Sequence, residues 1–122
     1  MPTVPENALV WCEIPVSNLA DAMVFYATVL DWELTLDETG PNPVAFFPMT
    51  ESSVAGHLYP GKPGKGAGPT VHLAVPDTAE AAAARAEAAG GTRVMGPITI
   101  PAGQFIYILD PDGNSVGLFE AA

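Results

Sequence analysis

From Leu9 to Val16 the side chains alternate, with Val10, Cys12, Ile14 and Val16 on one face and Trp11, Glu13 and Pro15 on the other. A period of two predicts a half-buried strand. Thr70 to Val75 alternates in the same way: Val71, Leu73 and Val75 make the apolar face, and Thr70, His72 and Ala74 the opposite one. After each strand the pattern lengthens to a helical one. One helix is expected to start near Asn18 and to bury Phe25, Tyr26, Val29 and Leu30. The other is expected to start near Asp77, whose spacing to Glu80 suits a capping box, and to stop at Gly90-Gly91. Its run of alanines from Ala79 to Ala89 favours helix and predicts close approach to a sheet. Apolar stretches from Gln104 to Leu109 and from Ser115 to about Glu120, broken by Asp110-Pro111-Asp112-Gly113-Asn114, predict a hairpin. Val44 to Phe47 and Val54 to Tyr59 predict its counterpart, joined through Pro48 to Ser53.

The halves are copies of one another. Val16-Ser17-Asn18-Leu19-Ala20-Asp21-Ala22 returns as Val75-Pro76-Asp77-Thr78-Ala79-Glu80-Ala81 at an offset of 59 residues. Val44 to Phe47 matches Phe105 to Ile108, and Val54-Ala55-Gly56 matches Ser115-Val116-Gly117, both at an offset of 61. Each copy reads strand, helix, strand, strand, strand. A unit of about 55 residues has little core of its own, so the two are expected to pack together, sharing a central sheet, with equivalent positions meeting around a common cleft. The boundaries are about 8–59 for module one and about 70–120 for module two, within one domain spanning 1–122. Residues 60–69 are a linker of glycine, proline and two lysines.

Composition narrows the function. With 122 residues, 48% of them hydrophobic, the chain supports one folded domain. No apolar run reaches the length of a membrane span and no signal peptide is evident, so a cytoplasmic protein with no membrane partner is expected. The single cysteine, Cys12, forms no internal disulfide and alternates with the buried set, so it reads as a packing thiol. A net charge of −10 repels a phosphate backbone and excludes nucleic acid as a partner. The acidic excess is either a solvated surface or a cleft that attracts a cationic ligand. Lys62 and Lys65 in the linker either aid solubility or steer an anionic one.

Four segments carry a resemblance to a known family: Glu13-Ile14-Pro15-Val16-Ser17-Asn18-Leu19; Phe25-Tyr26 with Leu30-Asp31-Trp32; Ala88-Ala89-Gly90-Gly91; and Asp110-Pro111-Asp112-Gly113-Asn114. In this order and duplicated, they resemble the vicinal oxygen chelate superfamily of glyoxalase I, bleomycin resistance proteins and extradiol dioxygenases. They look most like its small branch related to lactoylglutathione lyase. The resemblance covers nearly the whole chain. It implies an α+β fold of two tandem βαβββ modules, a cupped mixed sheet around a ligand cleft, and commonly a homodimer. In metal-using members the first and last strands of each module supply ligands. Those positions fall here on Trp11, Gly56, Thr70 and Gly117, of which only Thr70 has a ligating atom, and a weak one. Divalent ions of this class take several His, Glu or Asp side chains. No metal site and no cofactor are therefore expected, and glyoxalase or dioxygenase activity does not carry over.

Glu13 and His72 occupy equivalent positions two residues beyond the first-strand ligand positions and are expected to approach each other. Three readings stand side by side: a general acid–base pair, a polar pair holding the modules together, and a two-ligand remnant metal site completed by water. Trp11 is either core filling or an aromatic wall. His57 is expected on the face away from the cleft, Glu120 at a mobile end, and Tyr107 in the core, while Tyr59 could offer a hydroxyl to a ligand. The resulting expectation is a small-molecule binding protein without the family metal site, its cleft lined by Trp11, Glu13, Thr70 and His72. The alternatives are a lyase, isomerase or epimerase with Glu13 and His72 as catalytic acid–base residues, or a metal-dependent enzyme with substitute ligands.

Overall fold

In the computed structural model, residues 11–122 are described, together with residues 2, 4, 6, 7 and 9. The alternating run yields strand β1, Trp11–Val16, with Ile14 and Val16 buried; Val10 lies outside the described residues. Asn18 then caps helix α1, Leu19–Leu30, its side chain accepting from the Asp21 amide as expected. Asp31 ends that helix in the left-handed region at φ 56°. Three strands complete the module: β2, Thr35–Asp37, β3, Val44–Phe46, and β4, Ala55–Pro60. The second module repeats this order as β5, Val71–Ala74, α2, Ala79–Ala88, β6, Thr92–Ile100, β7, Gly103–Leu109, and β8, Ser115–Ala121.

The start of α2 differs from expectation. Thr78 is the cap, its hydroxyl accepting from the Ala81 amide. Asp77 and Glu80 are drawn elsewhere, each into a two-pronged pairing with an arginine, Asp77 with Arg85 and Glu80 with Arg93. Guanidinium forks match carboxylates in this way, and they outcompete a reciprocal cap for both acids.

The modules do not share one continuous sheet. Strand order is β1-β4-β3-β2 in one four-stranded sheet and β5-β8-β7-β6 in the other, each mixed, with a parallel pair at β1/β4 and at β5/β8. They are joined through the helices and one turn. Phe25, Tyr26, Val29 and Leu30 of α1 and Ala79, Ala82, Ala83 and Ala86 of α2 belong to one core with the helix-facing sides of both sheets. The alanines let α2 lie flush, since a Cβ is all that fills the gap. Arg85 crosses from α2 to donate to the Val29 carbonyl of α1 at 3.0 Å. The Asp110–Asn114 turn reaches into module one, where Asn114 donates to the Pro15 carbonyl and Asp112 accepts from the Ser17 amide and hydroxyl. With helices and core on one side, each sheet keeps a helix-free face for other purposes.

Candidate ligand site

The helix-free face of the first sheet is built by register. Parallel pairing sets Glu13 opposite His57, and antiparallel pairing sets Phe46 opposite His57. Side chains paired across strands point the same way, so Trp11, Glu13, Phe46, His57 and Tyr59 share one face. His57 therefore lies beside Glu13, and the expectation that it turns away is corrected. Gly56 is the residue that faces the helix, where an added Cβ would sit 2.3 Å from the Cys12 carbonyl oxygen.

The second sheet shows where the repeat alignment slipped. Leu58 pairs with Ile14 and Leu118 with Leu73, so the last strands are offset by 60 residues, not 61. The position equivalent to Gly117 is His57 rather than Gly56. Aligning the buried leucines instead of the glycines would have revealed it. In module two the same place is taken by His72, for a Cβ on Gly117 would lie 2.2 Å from His72 Nδ1. Gly117 is empty of side chain so that the imidazole can lie across it.

Hydrogen bonding in the first sheet defines one tautomer. Trp11 Nε1 stands 3.1 Å from His57 Nδ1, and His57 Nε2 stands 3.1 Å from Glu13 Oε1. An indole nitrogen only donates, so Nδ1 is the accepting nitrogen and Nε2 carries the proton that goes to Glu13. His57 is then the donor to Glu13, and the carboxylate the acceptor. The imidazole side chain is 14% exposed and the carboxylate side chain 63% exposed. Phe46 and Tyr59 enclose the ring edge-on, with centroids 6.1 and 6.0 Å from it.

Trp11, Glu13, Thr70 and His72, the four residues singled out from the sequence, line one cavity of about 610 Å³ between β1 and β5. Trp11 is 38% exposed and forms a wall of this space instead of filling the core. Thr70 is tied through its hydroxyl to Ser115 at 2.6 Å. His72 is edge-on to Phe105 and Tyr107, at 5.0 and 5.8 Å. Tyr107 is thus on the helix-free face and not in the core, which Ile106 and Ile108 occupy. Glu13 pairs with His57 and not with His72, although both open on the same cavity. Linker residues Gly64 and Ala67 to Pro69 close one side of it. Cys12 also borders the cavity, but burial, and then the Glu13 charge, push its thiol above the ordinary value. A thiol so placed is a poor nucleophile.

Few metal-ligating side chains stand at the family's ligand positions. The family positions carry Trp11, His57, Thr70 and Gly117 once the register is applied, which amounts to one imidazole, already committed at both nitrogens. Among the described residues no group of three or more His, Cys, Asp or Glu side chains is arranged to hold an ion. Glu120 is likewise engaged, accepting from the Ala79 amide and from Gln104, so the expected mobile end is held in place. No helix among the described residues is long and apolar enough to cross a membrane.

Comparison with known proteins agrees with this architecture. Residues 8–118 match the family model of the Glyoxalase/Bleomycin resistance protein/Dioxygenase superfamily. A glyoxalase/bleomycin resistance protein from Streptomyces sp. CB03234 is 26% identical with a TM-score of 0.67, covering 89% of this chain and 96% of its own. TnmS3, an antibiotic binding protein from the same organism, is 23% identical with a TM-score of 0.68 and covers 98% and 100%. A glyoxalase I mutant from Zea mays is 20% identical with a TM-score of 0.69, covering 92% of this chain but 46% of the maize protein. No curated protein matches the chain.

Proposed function

Because the chain belongs to the Glyoxalase/Bleomycin resistance protein/Dioxygenase superfamily, we propose that it is a small-molecule binding protein of that fold which works without the family's metal site. The observation that carries this reading is the engagement of His57 at both ring nitrogens, by Trp11 and by Glu13. A general base must have a free lone pair within reach of the proton it takes. His57 has none in this arrangement, so it is disposed to orient Glu13 and not to take a proton from a ligand. A cavity of about 610 Å³ suits a drug-sized molecule, and TnmS3, of similar fold, is an antibiotic binding protein.

The whole of residues 1–122 acts as one domain in this reading, with the 60–69 linker as part of the cavity wall. The protein works in the cytoplasm as a homodimer. Leu36, Val94, Met95 and Ile100 are large apolar side chains left exposed on the sheets, and a second subunit would cover surface of this kind.

A catalytic reading also has an observation behind it. His72 opens on the same cavity as Glu13, so the two could serve a lyase, isomerase or epimerase as acid and base from opposite walls. Native mass spectrometry of freshly purified protein distinguishes these readings. Binding without a metal predicts a dimer carrying a co-purified organic molecule and no ion. A tightly held equivalent of zinc, nickel, iron or manganese would reject the metal-free reading. A co-purified molecule converted on incubation, with loss of conversion in His72→Gln, would replace binding with catalysis.

A further inference from the structure

Glu13 is the one carboxylate on the wall of the cavity between β1 and β5, and among the described residues no lysine or arginine lines it. The nearest partner of that carboxylate is His57, and the Trp11 hydrogen bond holds His57 in its neutral tautomer. What resembles an ion pair is therefore an imidazole N–H donating to a carboxylate, and among the described residues no lysine or arginine stands at the wall to offset that carboxylate. Lys62 and Lys65, the only lysines of the chain, are exposed and absent from the lining. Arg85 and Arg93, the only arginines, are spent on Asp77 and Glu80. Every lysine and arginine of the protein thus lies away from the cavity lining.

An uncompensated carboxylate beside an apolar, aromatic wall favours one class of occupant. Trp11 offers an indole next to Glu13, and indole is the aromatic group that attracts cations most strongly. Leu9, Pro69 and Val71 supply apolar surface for the body of the molecule. An anion would meet the Glu13 charge with nothing to offset it, and a neutral ligand would leave that charge partly desolvated and unpaired. The overall charge of −10 adds a long-range attraction of the same sign.

Resting on the binding function proposed above, we infer that the ligand of this cavity is an organic cation, an aromatic or alicyclic body bearing a positively charged nitrogen, with its charge against Glu13 and Trp11.

The test uses two probes of nearly the same shape, N-methylacridinium and acridine, titrated calorimetrically into the full-length protein at pH 8, where acridine is uncharged. The cation is expected to bind about tenfold more tightly, equivalent to about 1.4 kcal/mol, and raising the salt concentration should weaken it alone. Glu13→Gln should bring N-methylacridinium to the level of acridine and leave acridine unchanged. Equal affinity of the two probes in the unmodified protein would overturn the cation assignment while leaving the binding function intact. Equal weakening of both by Glu13→Gln would do the same. Failure of both probes to bind would overturn the assignment, and the co-purified ligand then judges the binding function separately. The salt comparison needs no variant, so the outcome stands whether or not Glu13→Gln folds.

Discussion

The Tyr26 hydroxyl donates to Asp110 Oδ2 at 2.7 Å across 84 positions of sequence, joining helix α1 of module one to the β7–β8 turn of module two. Asp110 is only 3% exposed, yet both its oxygens are satisfied. Oδ1 accepts from the Asp112 and Asn114 amides, and Oδ2 accepts from the Asn114 side chain as well as from Tyr26. The carboxylate shapes the turn, and the turn then clasps the other module.

Removing the parts of this clasp should cost stability in order of the groups orphaned. Tyr26→Phe loses one charge-assisted bond and should destabilise by about 1.5–3 kcal/mol, while Asp110→Ala strands two amides and a phenol and should cost about 3 kcal/mol or more. Urea denaturation measures both. Burial first, and the Asp110 charge next, hold the Tyr26 phenol well above its ordinary value. The folded state thus favours the protonated phenol, and its contribution is complete below the unfolded value of about 10 and declines as pH rises above it. Wild-type protein should lose stability in alkali by a step that Tyr26→Phe lacks; parallel alkaline profiles would refute this.

Glu120 should reveal itself on the acid side. The Gln104 side chain, and then the Ala79 amide, hold its carboxyl below the usual carboxylate range. A depressed folded value means that its stabilisation is present above the unfolded value of about 4.3 and disappears as pH falls through the folded one. The stability gap between wild type and Glu120→Gln should be wider at pH 7 than at pH 3. A gap independent of pH would show that the charge is immaterial.

The two glycines of the last strands should respond differently to alanine. At Gly56 the new methyl would meet the Cys12 backbone at 2.3 Å, which only a shift of β1 against β4 relieves. At Gly117 it would meet the His72 imidazole, which can rotate away. Gly56→Ala is expected to cost about 3 kcal/mol, at the upper end for overpacking, and Gly117→Ala about 1 kcal/mol. Gly117→Ala should also move the His72 ring resonances in proton NMR. Unchanged resonances would mean that the imidazole does not lie over Gly117.

Asp31 takes the left-handed conformation at the end of α1, where its negative charge also faces the helix C-terminus. Both features are mildly unfavourable for aspartate. Asp31→Gly should raise the stability by about 0.5 kcal/mol after allowing for the freedom glycine gains when unfolded. A lower melting temperature would show that the attraction of Asp31 for Arg85 outweighs the backbone strain.

Local pattern was enough for the elements because it is read within a few residues. Alternation in Leu9 to Val16 predicted the strand that contains β1, the Asn18 side chain marked the start of α1, and Gly90-Gly91 marked the end of α2. The duplication supplied the βαβββ repeat, and the charge imbalance supplied the acidic character. The cap of α2 escaped local reading because Asp77 is won by Arg85, eight residues ahead of it. What only the tertiary structure decided is pairing across strands. A slip of one residue in register turns every side chain of a strand to its other face, and the insertion that separates an offset of 60 from 61 lies in turns whose lengths the repeat leaves open. For that reason His57, and not His72, became the partner of Glu13, while His72 came to rest on Gly117. Trp11 completed the arrangement by donating to His57 and thereby making it the donor to Glu13, a consequence of three side chains converging from two strands 46 residues apart.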